Sequence, residues 1–298
     1  MTLTVSALAL TCFILLAVGY VVFLVLGRVE RLAPVVADAW PILLTETLIV
    51  GVAAGTFWIG GWVLAIGLVV HAVRTAYEAA SVANRRHHLA HPLIIGGGIA
   101  ALAILAAFLP IYIICIAAPG LAALLITLIR QNKRPPNSAM RVTLDLALFP
   151  MLPLLVFTAA GLQGGYGVWL LAAFILTETF DSYASLGGKL FGKRKAFPNL
   201  SPNKTVEGLA IGAGMLMGTA ALVGAILAGL PVLASAGIAF ISGGFTVAGD
   251  LTASRLKRLS GVKDYPQVMP RQGGLLDITD AWITNGAGLI CIAVLLGL

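Results

Sequence analysis

Charge is what this chain has least of: only 10% of its 298 residues are Asp, Glu, Lys or Arg, and twelve acids face nineteen bases. Soluble domains carry about 25% charged residues. With hydrophobic residues at 59% and a mean hydropathy of +1.00, a water-facing shell around one core is excluded. Cysteine is scarce as well. Cys12, Cys115 and Cys291 fall in separate apolar runs without partner spacing, which argues against a disulfide framework, a zinc site or redox work and leaves packing as their role. Of four histidines, His87, His88 and His91 share one short loop with no flanking acid, and are read as solvated rather than as a metal cluster. There is no internal repeat, low-complexity tract or separate soluble domain. The first apolar run has no Lys or Arg before it and no small-residue cleavage site, so it is expected to stay as a helix.

What the chain does have is long apolar stretches, at 5–26, 42–73, 92–129, 142–180, 206–249 and 281–298. One crossing takes about 20 residues. The first and last stretches therefore make single spans, and each of the four middle ones makes a pair. Breakers fall near their midpoints: the segment from Thr56 to Gly61, Pro110, the segment from Gly161 to Gly167, and Pro231. The expected fold is all-α, a polytopic integral membrane protein of about ten transmembrane helices. It divides into N-terminal membrane helices (1–141) and C-terminal ones (142–298) within one membrane domain. All nineteen Lys and Arg lie between the apolar stretches or at their edges, among them Arg130, Lys133 and Arg134. Five basic loops then share one face, cytoplasmic by the positive-inside rule, and both termini lie on the other. That distribution, with anionic headgroups, accounts for a pI near 9.6 without nucleic acid.

Two loops carry more than topogenic charge. In the first, Ser201-Pro202 reads as a helix cap with proline in the first turn. Such an N-terminus offers backbone N–H groups to a phosphate. Lys204 and Thr205 would add side-chain donors there, and a plain cap needs neither them nor Glu207. The second loop, 250–280, holds five bases and four acids in thirty-one residues. Charge so dense beside a bilayer needs partners, water, metal or substrate. Asp250 closes one span, and Asp277 and Asp280 open the next. Carboxylates brought together this way suit a hard cation such as Mg²⁺, while Lys257, Arg258 and Lys263 suit phosphate, and Gly273-Gly274 allows close backbone approach. Caps and ion pairs are the plainer use of the same residues. Glu178 and Asp181 close the seventh expected span. Glu46 is a weaker candidate inside a span. Gly212, Gly214 and Gly218 are assigned to close helix packing.

Together the two loops resemble the phosphatidate cytidylyltransferases. The family pattern is met by Gly249-Asp250, Ser254, Lys257-Arg258, Lys263-Asp264, Pro270-x-Gln272-Gly273-Gly274, Asp277 and Asp280. Upstream it is met by Asp181, Gly188-Lys189, Phe191-Gly192-Lys193 and Ser201-Pro202-x-Lys204-Thr205-x-Glu207-Gly208, with a fainter echo at Tyr77-Glu78. Gln272 stands where the family has His, Ile278 where it has Arg, and Tyr183-Ala184-Ser185 differs from Gly-Ala-Tyr. The resemblance implies condensation of CTP with phosphatidic acid to CDP-diacylglycerol and pyrophosphate in a bacterial inner membrane. It implies Mg²⁺, with room for a second cation, among membrane lipids and in a homodimer. Asp250, Asp277 and Asp181 would hold the metal, and Asp280 and Lys257 would join Asp250 and Asp277 in catalysis. Ser201, Lys204, Thr205, Glu207, Ser254, Arg258, Lys263, Asp264, Gln272, Gly273 and Gly274 would bind substrate. The departures keep two alternatives open: a CTP-dependent enzyme on another lipid phosphate, and a non-catalytic lipid-binding relative.

Overall fold

The computed structural model describes residues 4–86, 89–115, 139–269 and 272–297. His87, His88, Arg130, Lys133, Arg134 and Pro270 lie outside them. The described chain is almost wholly helical. The N-terminal part gives α1 (Val5–Leu26), α2 (Ala33–Ile59), α3 (Gly61–Ala83), α4 (Pro92–Ala106) and a short α5 (Ile111–Cys115). The C-terminal part gives α6 (Ala139–Leu146), α7 (Leu152–Gln163), α8 (Gly167–Phe191), α9 (Val206–Val223), α10 (Val232–Leu259) and α11 (Leu275–Leu296). A kink at Phe149, whose backbone is extended (φ −150°, ψ 128°), separates α6 from α7, and a two-stranded antiparallel hairpin, β1 (Lys195–Phe197) with β2 (Ser201–Thr205), lies between α8 and α9.

The expected breakers end the helices. Gly60 and Gly61 hold φ of +66° and +50° between α2 and α3, a conformation open to glycine and strained for other residues. Pro110 stands before α5, Gly164 after α7, and Pro231 before α10. Seven helices among the described residues are long and apolar enough to cross a membrane. The protein is an integral membrane protein. Among the described residues this count does not confirm the expected ten: α4 has 15 residues, and α8, though 25 residues long, is interrupted by Glu178, Asp181 and Lys189. The remainder of the 92–129 stretch lies outside the described residues.

Two further expectations are corrected. Ser201 and Pro202 do not begin a helix; they sit in β2, and the cap falls on Thr205, whose Oγ1 accepts from Gly208 N at 3.1 Å. Asp250 does not end its helix either. α10 continues for nine more residues to Leu259, because nothing between Gly249 and Leu259 breaks it, and the loop shrinks to 260–274.

The main hydrophobic core runs from Leu8 to Cys291 and takes in much of α11, and a smaller cluster gathers Phe180, Leu216 and Ala239. Trp282 of α11 packs 5.0 Å from the Phe157 ring and 4.9 Å from that of Phe174, and its Nε1 donates to Leu170 O. All three cysteines are buried and free. Glycine brings α8 against α9: a Cβ on Gly212 would lie 2.8 Å from Ala184 Cβ, and one on Gly187 would lie 2.8 Å from Ile211 Cγ2. Gly214 and Gly218 face open space, so only Gly212 of the three sequence candidates packs closely.

Candidate active site

Three helices and one strand meet where the carboxylates gather. The hairpin is fastened by Glu207 in the first turn of α9. Its carboxylate accepts from Lys193 N at 2.9 Å and Arg194 N at 3.0 Å, and pairs with Arg194 Nε at 3.0 Å. So held, β2 extends Lys204 between two helices. Lys204 Nζ lies 3.5 Å from Asp181 Oδ1 on α8 and 3.0 Å from Asp250 Oδ2 on α10. Burial pulls this ammonium toward neutrality, but the two acids more than offset it and hold its pKa above the ordinary lysine value.

The second group forms at the start of α11. Lys257 of α10 pairs with Asp277 Oδ1, while Asp277 Oδ2 accepts from Tyr265 N at 2.8 Å and Gly274 N at 2.9 Å. The loop thus folds back over α10, with Lys257 Nζ 5.3 Å from the centre of the Tyr265 ring. Burial pushes the Tyr265 phenol well above its ordinary range, and Asp280, Asp277 and Glu78 add to this. Gly273, at φ +85°, has no room for a Cβ against Asp277, and a Cβ on Gly274 would meet Glu78 and Tyr265. The glycines admit the protein's own carboxylates. Glu78, fully buried on α3, accepts from Leu275 N at 3.0 Å and Leu276 N at 2.8 Å and pairs with Arg74 Nε at 2.7 Å. It therefore occupies the helix N-terminus that sets the height of Asp277 and Asp280.

The two groups adjoin through the crossing of α10 and α11. A Cβ on Gly249 would lie 2.8 Å from Asp280 O and 2.6 Å from Thr284 Oγ1. Asp250 and Asp280 therefore sit on touching turns. Asp280 is buried; its Oδ1 accepts from Ala281 N at 2.6 Å. Its Oδ2, like Asp250 Oδ2, is buried without a hydrogen-bond partner, the latter having only its ion pair with Lys204.

The other sequence candidates are placed less centrally. Ser254 is buried on α10, and Arg258 is exposed and donates to Val262 O. Lys263 and Asp264 are exposed in the loop. The Thr205 oxygen is engaged as a cap. Gln272 turns toward α2, donating to Thr45 Oγ1 at 2.9 Å and Glu46 Oε1 at 3.1 Å. Sequence reasoning left out Arg74 and Tyr265. The faint Tyr77-Glu78 echo was the one signal of the α3 contribution.

The pattern of the cytidylyltransferase family matches residues 42–296. The chain belongs to the cytidylyltransferase family. Among similar proteins, the uncharacterized protein YnbB of Escherichia coli (strain K12) is 39% identical over 132 residues, 44% of this chain and 43% of that one. The phosphatidate cytidylyltransferase of Haemophilus influenzae is 40% identical over 122 residues, 38% of this chain and 41% of that one. That of Staphylococcus aureus (strain COL) is 36% identical over 116 residues, 39% of this chain and 45% of that one. The matched stretch thus spans less than half the length of these curated relatives.

For a cytidylyltransferase the donor set suits a divalent cation. No three His, Cys, Asp or Glu side chains among the described residues form a ready metal cage. Mg²⁺, however, takes one or two carboxylates and completes its shell with water and substrate phosphates. Asp250 Oδ2 and Asp280 Oδ2, buried and without hydrogen-bond partners, are oxygens of that kind.

Proposed function

We propose that this cytidylyltransferase condenses CTP with phosphatidic acid, giving CDP-diacylglycerol and pyrophosphate. The observation that carries the reading is the convergence of Asp181, Asp250, Asp277 and Asp280 around Lys204 and Lys257 at the junction of α8, α10, α11 and β2. In the reaction an oxygen of the lipid phosphate attacks the α-phosphorus of CTP. The bond from that phosphorus to the α–β bridging oxygen breaks, and pyrophosphate leaves with the electron pair. The attacking phosphate is ionised near neutral pH, so no general base is needed. The task is to hold two anions in line and to offset charge on the leaving group.

Lys204 and Lys257 serve that task. Each is held by carboxylates until substrate phosphates compete for the ammonium. With the ammonium groups engaged on phosphate, oxygens of Asp181 and Asp277 would be free to join those of Asp250 and Asp280 in holding a divalent cation. Mg²⁺ held there would supply charge neutralisation and a shared template for both substrates. Arg258 and Lys263, exposed nearby, meet the outer phosphates of CTP. On this reading the site lies on the cytoplasmic face of a bacterial inner membrane, the side to which the positive-inside rule assigns the basic loops, with both termini outside and a homodimer as the working unit; about ten spans would follow if apolar segments beyond the seven described helices also cross. Purified protein with labelled CTP, Mg²⁺ and phosphatidic acid should form CDP-lipid. No product with phosphatidic acid or any of several other lipid phosphates would overturn the reading.

Ile278 favours a second acceptor. It leaves no guanidinium next to Asp277 for a phosphate fork. Product with a different lipid phosphate, but none with phosphatidic acid, would select that alternative.

A further inference from the structure

Gln272 is the polar residue of the α11 turn that faces away from the lysines. Its Nε2 donates to Thr45 Oγ1 at 2.9 Å and to Glu46 Oε1 at 3.1 Å, both on α2. One nitrogen giving two hydrogen bonds must be an NH₂ group, which a side-chain amide has and a neutral imidazole lacks. The residue that departs from the family pattern is therefore matched to its partners on α2.

The depth of this contact is informative. Glu46 lies thirteen residues into α2, about 20 Å along the helix axis from Ala33. Non-helical backbone at membrane depth is tolerated where it is buried in protein or lines a polar cavity. The neighbouring Leu44 and Leu48 are 53% and 55% exposed, so α2 has the bilayer on its other side. The α2 helix is built onto α1, through Tyr20 Oη to Thr47 Oγ1 at 2.7 Å and Trp40 against the rings of Tyr20 and Phe23. The α1–α2 unit is joined to α11 at one end by Phe57 against Trp282, with ring centres 6.0 Å apart. Further along α2, Gln272 makes the second connection. The α2 helix thus stands between the bilayer, on the side of Leu44 and Leu48, and the turn that opens α11, on the side of Thr45 and Glu46.

We propose that Gln272 is a positioning residue that latches α2 to the α11 turn, so that α2 forms the wall along which the lipid phosphate enters. It acts on lipid engagement through Thr45 and Glu46 and touches neither CTP nor metal. The inference rests on the cytidylyltransferase reading, and its test has one arm independent of that reading.

The test uses the full chain in lipid nanodiscs. In the independent arm, Thr45→Cys combined with Gln272→Cys should be joined by a short bis-methanethiosulfonate reagent, while each single variant is not. In the kinetic arm, Gln272→Ala should raise the apparent KM for phosphatidic acid about ten-fold, the scale of one lost hydrogen bond to a charged group. The KM for CTP should stay within about two-fold, well under that scale. Gln272→Glu, which sets two carboxyl groups against each other, should be worse. Adding Glu46→Gln to it exchanges donor and acceptor and should return both the KM and the melting temperature toward wild type. Absence of the cross-link overturns the latch, as does a rise in KM for CTP instead, or an exchanged pair no better than Gln272→Glu alone. If the wild type makes no CDP-lipid, the proposed function fails by itself. The cross-link and the melting temperature of the exchanged pair then decide the latch.

Discussion

Lys204 and Lys257 are each ion-paired with aspartate, yet the structure uses them differently. Lys204 rides on a short hairpin and spans two helices, at 3.5 and 3.0 Å from its acids. Lys257 sits on a long helix and grips an aspartate whose other oxygen already takes two backbone N–H groups. The first pairing leaves carboxylate and ammonium free to change partners, and the second also holds the loop and the start of α11 in place. On the proposed reading both pairs serve the reaction, but only the Lys257 pair also holds the fold, and substitutions should separate them.

The largest effect is expected at Asp250→Ala. Turnover should fall on the order of a thousand-fold, as when a site loses a group that stabilises developing charge, while the melting temperature stays near that of the wild type. Asp277→Asn should lower turnover and stability together. It leaves the buried Lys257 ammonium without its partner, and breaking such a pair costs about 3–5 kcal/mol. Equal thermal shifts for these two variants would abolish the distinction. Glu78→Gln should come next, at about 1.5–3 kcal/mol for hydrogen bonds lost from a charged acceptor, read from chemical or thermal unfolding in detergent. A pH series sharpens the Lys204 side. Its pKa is raised on folding, so its contribution is complete below the ordinary lysine value and is lost as pH climbs through the folded-state value. The melting-temperature gap between wild type and Lys204→Met should stay constant from about pH 7 to 9 and narrow only at higher pH. Lys263→Ala, at an exposed loop position, should move stability by less than about 0.5 kcal/mol and raise the KM for CTP only modestly.

Much of the helix layout was legible because glycine and proline punctuate it: the turns at Gly60-Gly61 and before Pro231 stand where the breakers stand. The end of α10 was not. Hydropathy marks where apolar surface stops, and a helix can carry polar residues past that point, so Asp250, Ser254 and Lys257 read as loop although they are helical. The hairpin was missed because β1 has three residues and Ser201-Pro202 satisfies a helix-cap pattern equally well. For the site, residue types were visible and partners were not. Nothing local to Glu78 announces that it will receive the amides of Leu275 and Leu276, 197 and 198 residues away. Glu207 and Thr205 showed why they are needed only once the strand and cap they fasten were seen.

Gly249 holds a consequence for variation in the apolar part of the chain. Because the α10 backbone there rests directly on the α11 backbone, one added methyl group would act as a wedge, driving Asp250 away from Asp280. Gly249→Ala alters neither charge nor hydropathy class, so it would pass unnoticed in a search for damaged polar residues, yet it would prise apart the two halves of the proposed site.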